Sequence, residues 1–247
     1  MLFPHLSCIQ QDRARLRRAY LSVLMLSCVL VFPVCAGMAV AAPELVRVVL
    51  GPQWGLAATV VPWFALAAGC TVISALSQTA AEARADLNRS MAVQGVYVLA
   101  LGAFLALAIG YRSNGIWVVA AAVLAAEILR HVGYIGLMWR IVGFSAAQLW
   151  ESYAPAAYAS LGVVLAIAAT RRALVGQVPT ILVFAADLAA GALALALCIR
   201  FCPLPGIRRE LRMRLDAAGV LGGAGGLRRR LAPLVVGRSE PAPERQP

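Results

Sequence analysis

The chain has no Lys, only two His, and charge on just 13% of its 247 residues. A soluble domain carries about 25% charged residues. That deficit argues against a water-facing fold. Signatures of chemistry are scarce too. The sequence contains no CxxC, GxSxG, HExxH, P-loop or dinucleotide fingerprint. The six Cys (8, 28, 35, 70, 198 and 202) lie mostly within or beside apolar runs and have no His pair near them. They read as small buried hydrophobes, with neither a metal site nor a disulfide frame implied. No cofactor is implied either. A membrane glycosyl- or acyltransferase would need an interfacial cluster of acids, His or metal ligands, and the short connectors offer little material for one.

What the chain has is apolar residues, 62% of the total. They fall into charge-free stretches: Ala19 to Pro43, Val48 to Ala81, Ser90 to Tyr111 and Ser152 to Thr170. About 20 apolar residues cross a bilayer as a helix. The pattern predicts an all-α polytopic membrane protein, a bundle of six transmembrane helices. Their expected spans are 20–42, 54–77, 90–110, 116–138, 152–170 and 179–201. Pro33 and Pro62 fall inside helices, which membrane helices tolerate with a kink. The first apolar run is longer than a signal-peptide core and has no convincing cleavage site, so it counts as the first span. The connectors are short, so successive helices are expected to be antiparallel neighbours.

Four regions follow. Residues 1–19 form a cytoplasmic N-terminal segment, and residues 20–202 form the six-helix region. In residues 203–218, Ile207, Leu211 and Leu215 recur every four positions among Arg208, Arg209, Arg212 and Arg214. That spacing describes a short amphipathic helix on the membrane surface, its Arg side chains contacting anionic lipid. Residues 219–247 form a Gly-rich, then Pro-rich and basic, flexible tail.

All 22 basic residues are Arg. Coding bias accounts for this, given the Ala-rich composition; a planar guanidinium that forks onto phosphate is the functional alternative. Eighteen Arg fall on one side of the six-helix layout and four on the other (47, 112, 171 and 172). The positive-inside rule then places both termini in the cytoplasm. The net charge of +11 belongs to that face and to the bilayer, not to nucleic acid.

The candidate site residues are the ionisable groups inside the spans. Glu127, Arg130 and His131 are spaced i, i+3, i+4 and share a helix face. Charged groups within the bilayer are costly and usually face a cavity or one another. The trio lines a hydrated substrate cavity, holds a sugar or phosphate, or relays a proton; otherwise it is a local Glu127–Arg130 pair near the cytoplasmic end, with Arg130 snorkelling to the headgroups. Glu127 lies ~18 Å along the helix from Gly115, at 1.5 Å per residue. Asp187 stands alone in the sixth span, ~12 Å from its start. It pairs with a basic group on a neighbouring helix or faces water. Gln78, Gln94 and Tyr97 are weaker polar candidates, accounted for by helix–helix hydrogen bonds. Gly95, Gly102, Ala106 and Gly110 are expected to let helices approach closely. The five Trp (54, 63, 117, 139 and 150) sit mostly near span ends, as an interfacial belt.

One resemblance is carried by Phe3-Pro4-His5-Leu6-Ser7-Cys8-Ile9-Gln10-Gln11-Asp12, by Arg15-Leu16-Arg17-Arg18-Ala19-Tyr20 and by Phe32-Pro33. It continues through Ala42-Pro43-Glu44-Leu45-Val46 and Leu50-Gly51-Pro52-Gln53-Trp54. In order and spacing these resemble the bacterial polysaccharide-exporting flippases, the O-antigen and exopolysaccharide branch of the multidrug/oligosaccharidyl-lipid/polysaccharide superfamily. Arg84-Ala85-Asp86-Leu87 looks like a departed form of that branch's GRPDL connector. The resemblance implies helices facing a central cavity and alternating access for an undecaprenyl-pyrophosphate-linked glycan in the bacterial inner membrane. Fourteen helices are usual in that branch, and this chain looks like the last six. The resemblance therefore implies a partial flippase, with the other bundle missing or supplied by a second chain. The competing expectation is a non-transporting scaffold whose basic tail binds lipid or a partner.

Overall fold

The computed structural model describes residues 13–84, 86–110 and 115–201. The expected amphipathic helix, with Arg208, Arg209, Arg212 and Arg214, and the basic tail lie outside the described residues. The described helices are α1 (Arg13–Val40), α2 (Ala42–Val49), α3 (Ala57–Glu82), α4 (Leu87–Gly110), α5 (Trp117–Val142), α6 (Ala146–Leu174) and α7 (Thr180–Phe201). A single 3-10 turn, Pro52–Trp54, separates α2 from α3. All except α2 are long and apolar enough to cross a membrane. The fold is all-α, with six spanning helices, as the charge-free runs imply.

Helices α1 and α3 to α6 run longer than their expected spans, because a helix hydrogen-bonds its own backbone while it leaves the hydrocarbon. α1 already begins at Arg13 and continues through Pro33. The turn from α5 to α6 shows how a short connector is built. Gly143 takes a left-handed conformation (φ +72°), and its N–H donates to Trp139 O at 2.9 Å. Glycine adopts this helix-ending geometry without a Cβ penalty. Ser145 then caps α6. Gln148 N–H donates to Ser145 Oγ at 3.2 Å, and Ser145 N–H donates to Gln148 Oε1 at 3.0 Å. This reciprocal pair satisfies two otherwise orphaned donors. Replacing Ser145 with Ala is expected to cost about 1 kcal/mol, measurable as a lower midpoint in denaturant titration of the detergent-solubilised chain.

The segment after α1 departs from the sequence expectation. Residues 43–53 read as a plain connector, yet Ala42–Val49 is a helix. Pro43 falls in its first turn, where no intrahelical N–H is needed. Glu44 also sits in that turn and complements the helix dipole.

By Cα packing the chain divides into two compact units, residues 1–195 and 196–247. In the first unit, α1 packs most extensively on α6, and α3 on α5; α4 packs on α5, and α1 also packs on α3. The two most extensive pairs are therefore not successive helices, whereas α4 and α5 are. α1 and α6 run parallel. Arg17 Nη1, near the start of α1, donates to Gly143 O just before α6 (3.3 Å), and Arg171, near the end of α6, donates to Val40 O at the end of α1. Short connectors bring helix ends together, but complementary faces decide which helices pack. α1 buries Leu16, Tyr20, Leu24 and Cys28 at every fourth position. α6 answers with Ser152, Ala156, Ala159, Val163 and Ile167, a face that begins small and allows close backbone approach. At Gly37 an added Cβ would lie 3.2 Å from Val163 Cγ1 and 3.3 Å from Ile167 Cδ1, so the glycine marks a tight part of this seam.

α4 is the counterexample. Only Ser90 and Ala108 of it are buried. Gly95, Gly102 and Gly110 have nothing within 4 Å of an added Cβ. The expected close approach at these positions does not occur among the described residues, because the face of α4 turned to α5 is a different one. In the second unit the described residues are 196–201, where the Arg200 guanidinium lies 5.9 Å from the Phe201 ring centroid.

Candidate functional site

Polar side chains inside the spans gather in three places. The first lies between α4 and α5. Arg130 Nη2 donates to Glu127 Oε2 at 2.6 Å, and Tyr97 Oη donates to Glu127 Oε1 at 2.8 Å. The guanidinium also sits 4.7 Å from the Tyr97 ring centroid. The pair is well buried, with side chains 12% exposed for Arg130 and 7% for Glu127. Each carboxylate oxygen receives one strong charge-assisted bond or a phenol bond. The local Glu127–Arg130 pair thus forms, and the Arg130 side chain stays within the bundle. It folds over Tyr97, where the ring face balances part of its charge. Since α5 runs on to Val142, Glu127 stands ~15 Å from the start of α5 and ~22 Å from its end at 1.5 Å per residue. It is therefore deeper than a headgroup-level pair.

The second place is centred on His131, one residue further on and turned the other way. Its Nδ1 lies 3.2 Å from Ser74 Oγ on α3, and its Nε2 lies 2.8 Å from Tyr153 Oη on α6. The two rings meet edge to face at 5.9 Å. Tyr153 also hydrogen-bonds the Cys28 thiol and packs near Phe32, both on α1. One imidazole thus ties α5 to α3 and, through Tyr153, to α6 and α1. Two further hydroxyl pairs extend this layer: Tyr20 Oη to Ser77 Oγ at 2.9 Å, and Ser90 Oγ to Tyr134 Oη at 3.3 Å. Sequence spacing pointed to His131 but not to Ser74, Tyr153, Tyr20, Ser77, Ser90 or Tyr134. Hydroxyl residues are common enough in membrane helices that only packing identifies the bonded ones.

The third place is at the opposite end of the bundle. Asp187 on α7 is 1% exposed, and neither carboxylate oxygen has a hydrogen-bond partner. It lines a cavity of about 280 Å³ between α1, α6 and α7. Beside it, Arg171 Nη2 donates to Glu44 Oε1 at 3.0 Å. Glu44 Oε2 is buried without a partner. The Glu44–Arg171 pair escaped the sequence reading, although both residues fall at the same predicted end of the helices.

A smaller cavity, about 140 Å³, lies where α3 gives way to α4, lined by Gln78, Glu82, Ser90 and Gln94 among others. Gln78 bonds Glu82 in its own helix at 2.8 Å, and Gln94 Oε1 is buried without a partner. Of the three weaker candidates, only Tyr97 makes the expected bond between helices. The sequence candidates therefore separate. Glu127, Arg130 and His131 are joined to neighbours and line neither of these cavities, whereas Asp187 lines the larger one. Among the described residues no group of three His, Cys, Asp or Glu could hold a metal ion. Cys28 and Cys35 are buried thiols. Trp63 and Trp117 stack at 6.3 Å, joining the starts of α3 and α5.

Residues 1–59 match a family described as "Polysaccharide biosynthesis protein". The matched span covers α1, α2, the 3-10 turn and the start of α3, and it includes Glu44. It supports a membrane protein of polysaccharide biosynthesis. No curated protein and no solved structure matches the chain.

Proposed function

We propose that the chain serves the passage of a lipid-linked glycan across the bacterial inner membrane, as the six-helix portion of an oligosaccharide flippase with both termini cytoplasmic. The observation that carries this reading is the polysaccharide-biosynthesis match over residues 1–59, followed by apolar helices in the expected layout. The headgroup of an undecaprenyl-pyrophosphate-linked glycan would move through a hydrated path while its prenyl chain stays in lipid. No catalytic residue is assigned. The two cavities are too small and, in the larger case, too apolar to pass a glycan. The path therefore needs further helices, from a second chain or a longer one, and the open face of α4 offers them a surface. In that assembly Glu127, Arg130, His131 and Asp187 are the cavity candidates, and Arg208, Arg209, Arg212 and Arg214 contact anionic lipid.

One observation favours a second reading, a non-transporting scaffold with a lipid- or partner-binding tail. Glu127, Arg130 and His131 are already engaged with neighbouring side chains. Deleting the chain in its source bacterium separates the two. A flippase component predicts loss of surface glycan with build-up of the lipid-linked precursor inside. Unchanged surface glycan overturns the flippase reading. Loss of precursor synthesis itself favours the scaffold.

A further inference from the structure

The Asp187 carboxyl poses a charge problem that no side chain among the described residues solves by a hydrogen bond. Both of its oxygens are enclosed and unpartnered. The cavity beside it is walled by Pro33, Gly37, Val163, Phe184 and Gly191 among other apolar residues. The charged groups facing Asp187 are few. α2 contributes Glu44 and α6 contributes Arg171, and both act on Asp187 electrostatically. The lining residues of α1 are apolar.

Arg171 is already committed, bonding Glu44 Oε1 and Val40 O. Two carboxyl groups thus share one guanidinium. If both are ionised, the group carries a net charge of −1 in an apolar setting. A buried charge without a counterion is so costly that the group is neutralised instead. A hard metal cation would need about six oxygen ligands. The cavity wall supplies Asp187 and otherwise hydrocarbon. A proton needs no ligand shell.

We infer that Asp187 is a proton-binding site, holding one exchangeable proton beside the Glu44–Arg171 pair at the end of the bundle where α7 begins. The proton sits on a carboxylate oxygen of Asp187, and its release leaves the carboxylate and a hydronium in water. The route to water is short. Asp187 lies ~10 Å along α7 from Thr180 at 1.5 Å per residue, and the Arg171 side chain, which acts on it electrostatically, is 27% exposed. A cavity of about 280 Å³ has room for water once a polar group invites it. The site thereby changes its charge by one unit within the membrane, which is how intramembrane carboxylates serve in proton relays. It stands whether or not a glycan is the cargo.

Infrared difference spectroscopy tests this on the full chain in lipid nanodiscs. At neutral pH the wild type should show the C=O stretch of a protonated carboxylic acid. The band should shift in D2O and again when aspartate alone is carbon-13 labelled. Asp12, Asp86 and Asp216 are the other aspartates, and Asp187→Asn should abolish the band. Asp187→Glu should keep an acid band but make it insensitive to the aspartate label. Absence of a labelled-aspartate band in the wild type overturns the inference, and that result does not depend on any variant folding. Survival of the band in Asp187→Asn, or its removal by sodium at fixed pH, overturns it as well.

Discussion

Glu127→Gln should destabilise the chain by about 3 kcal/mol, more than any single exposed substitution. Arg130 is the reason. Its guanidinium is mostly buried, with the Glu127 carboxylate bonded at 2.6 Å and the Tyr97 ring as its other charge-balancing contact. Breaking a buried pair by removing one partner costs about 3–5 kcal/mol, because the remaining charge has no compensation. The Tyr97 ring recovers part of that, since a desolvated cation over an aromatic face is worth about 2 kcal/mol. A glutamine at position 127 also still accepts one bond, which places the expected loss near the lower bound. The double variant Glu127→Gln/Arg130→Met should regain most of the stability, because it removes the stranded charge together with its partner. Unfolding by SDS titration from mixed micelles measures both. If the double variant is no more stable than the single one, the carboxylate matters for its packing or its Tyr97 bond, and the stranded-charge account fails. In the wild type, the pair fixes how α4 rests on α5, since Tyr97 is bonded to the same carboxylate.

The spans were legible in the sequence for a simple reason: a charge-free run of bilayer length has few other fates. Their ends were less legible. α6 begins at Ala146, six residues before the charge-free run, because a Ser145–Gln148 capping box can start a helix among polar residues. Partner choice was less legible still. Connector length suggested successive pairs, but α1 chose α6 through the small face Ser152, Ala156 and Ala159. The same kind of residue misled at Gly95, Gly102 and Gly110, which look like a packing face and meet nothing among the described residues. Composition shows that a close approach is permitted; only a facing partner makes it happen. In the candidate sites, ionisable residues announced themselves as Glu127, Arg130, His131 and Asp187. Their partners did not. Tyr97 stands eight residues from the nearest charge on its own helix, Arg89, and Arg171 meets Glu44 from a distant part of the chain. The sequence also left two outcomes open for Asp187, a basic partner or water. The structure gives a third arrangement, in which Arg171 is near but already bonded to Glu44.

His131→Phe should cost about 2 kcal/mol, and the loss should fall on the contact of α6 with α3 and α5. The ring volume is nearly kept, so packing survives while both nitrogen bonds go. Ser74 and Tyr153 then keep hydroxyls in a buried place without their imidazole. Leaving a buried polar group unsatisfied costs about 1–3 kcal/mol. Tyr153 is partly rescued by the Cys28 thiol, and Ser74 can turn toward its own helix backbone, as hydroxyls in membrane helices do. Those two escapes bring the expected total down from the sum of two full losses. A double-mutant cycle with Tyr153→Phe isolates the shorter bond, 2.8 Å from Nε2 to Oη. Hydrogen bonds between membrane helices average about 0.6 kcal/mol, with a maximum of about 1.7. The imidazole bond should lie near the upper figure, because the ring is held from both sides and loses little freedom on bonding. The triple variant His131→Phe/Tyr153→Phe/Ser74→Ala should be more stable than His131→Phe alone, since it strands no hydroxyl. A coupling energy near zero in the cycle would mean that His131 is held by shape alone, and that the four helices meeting around it do so without the bond network.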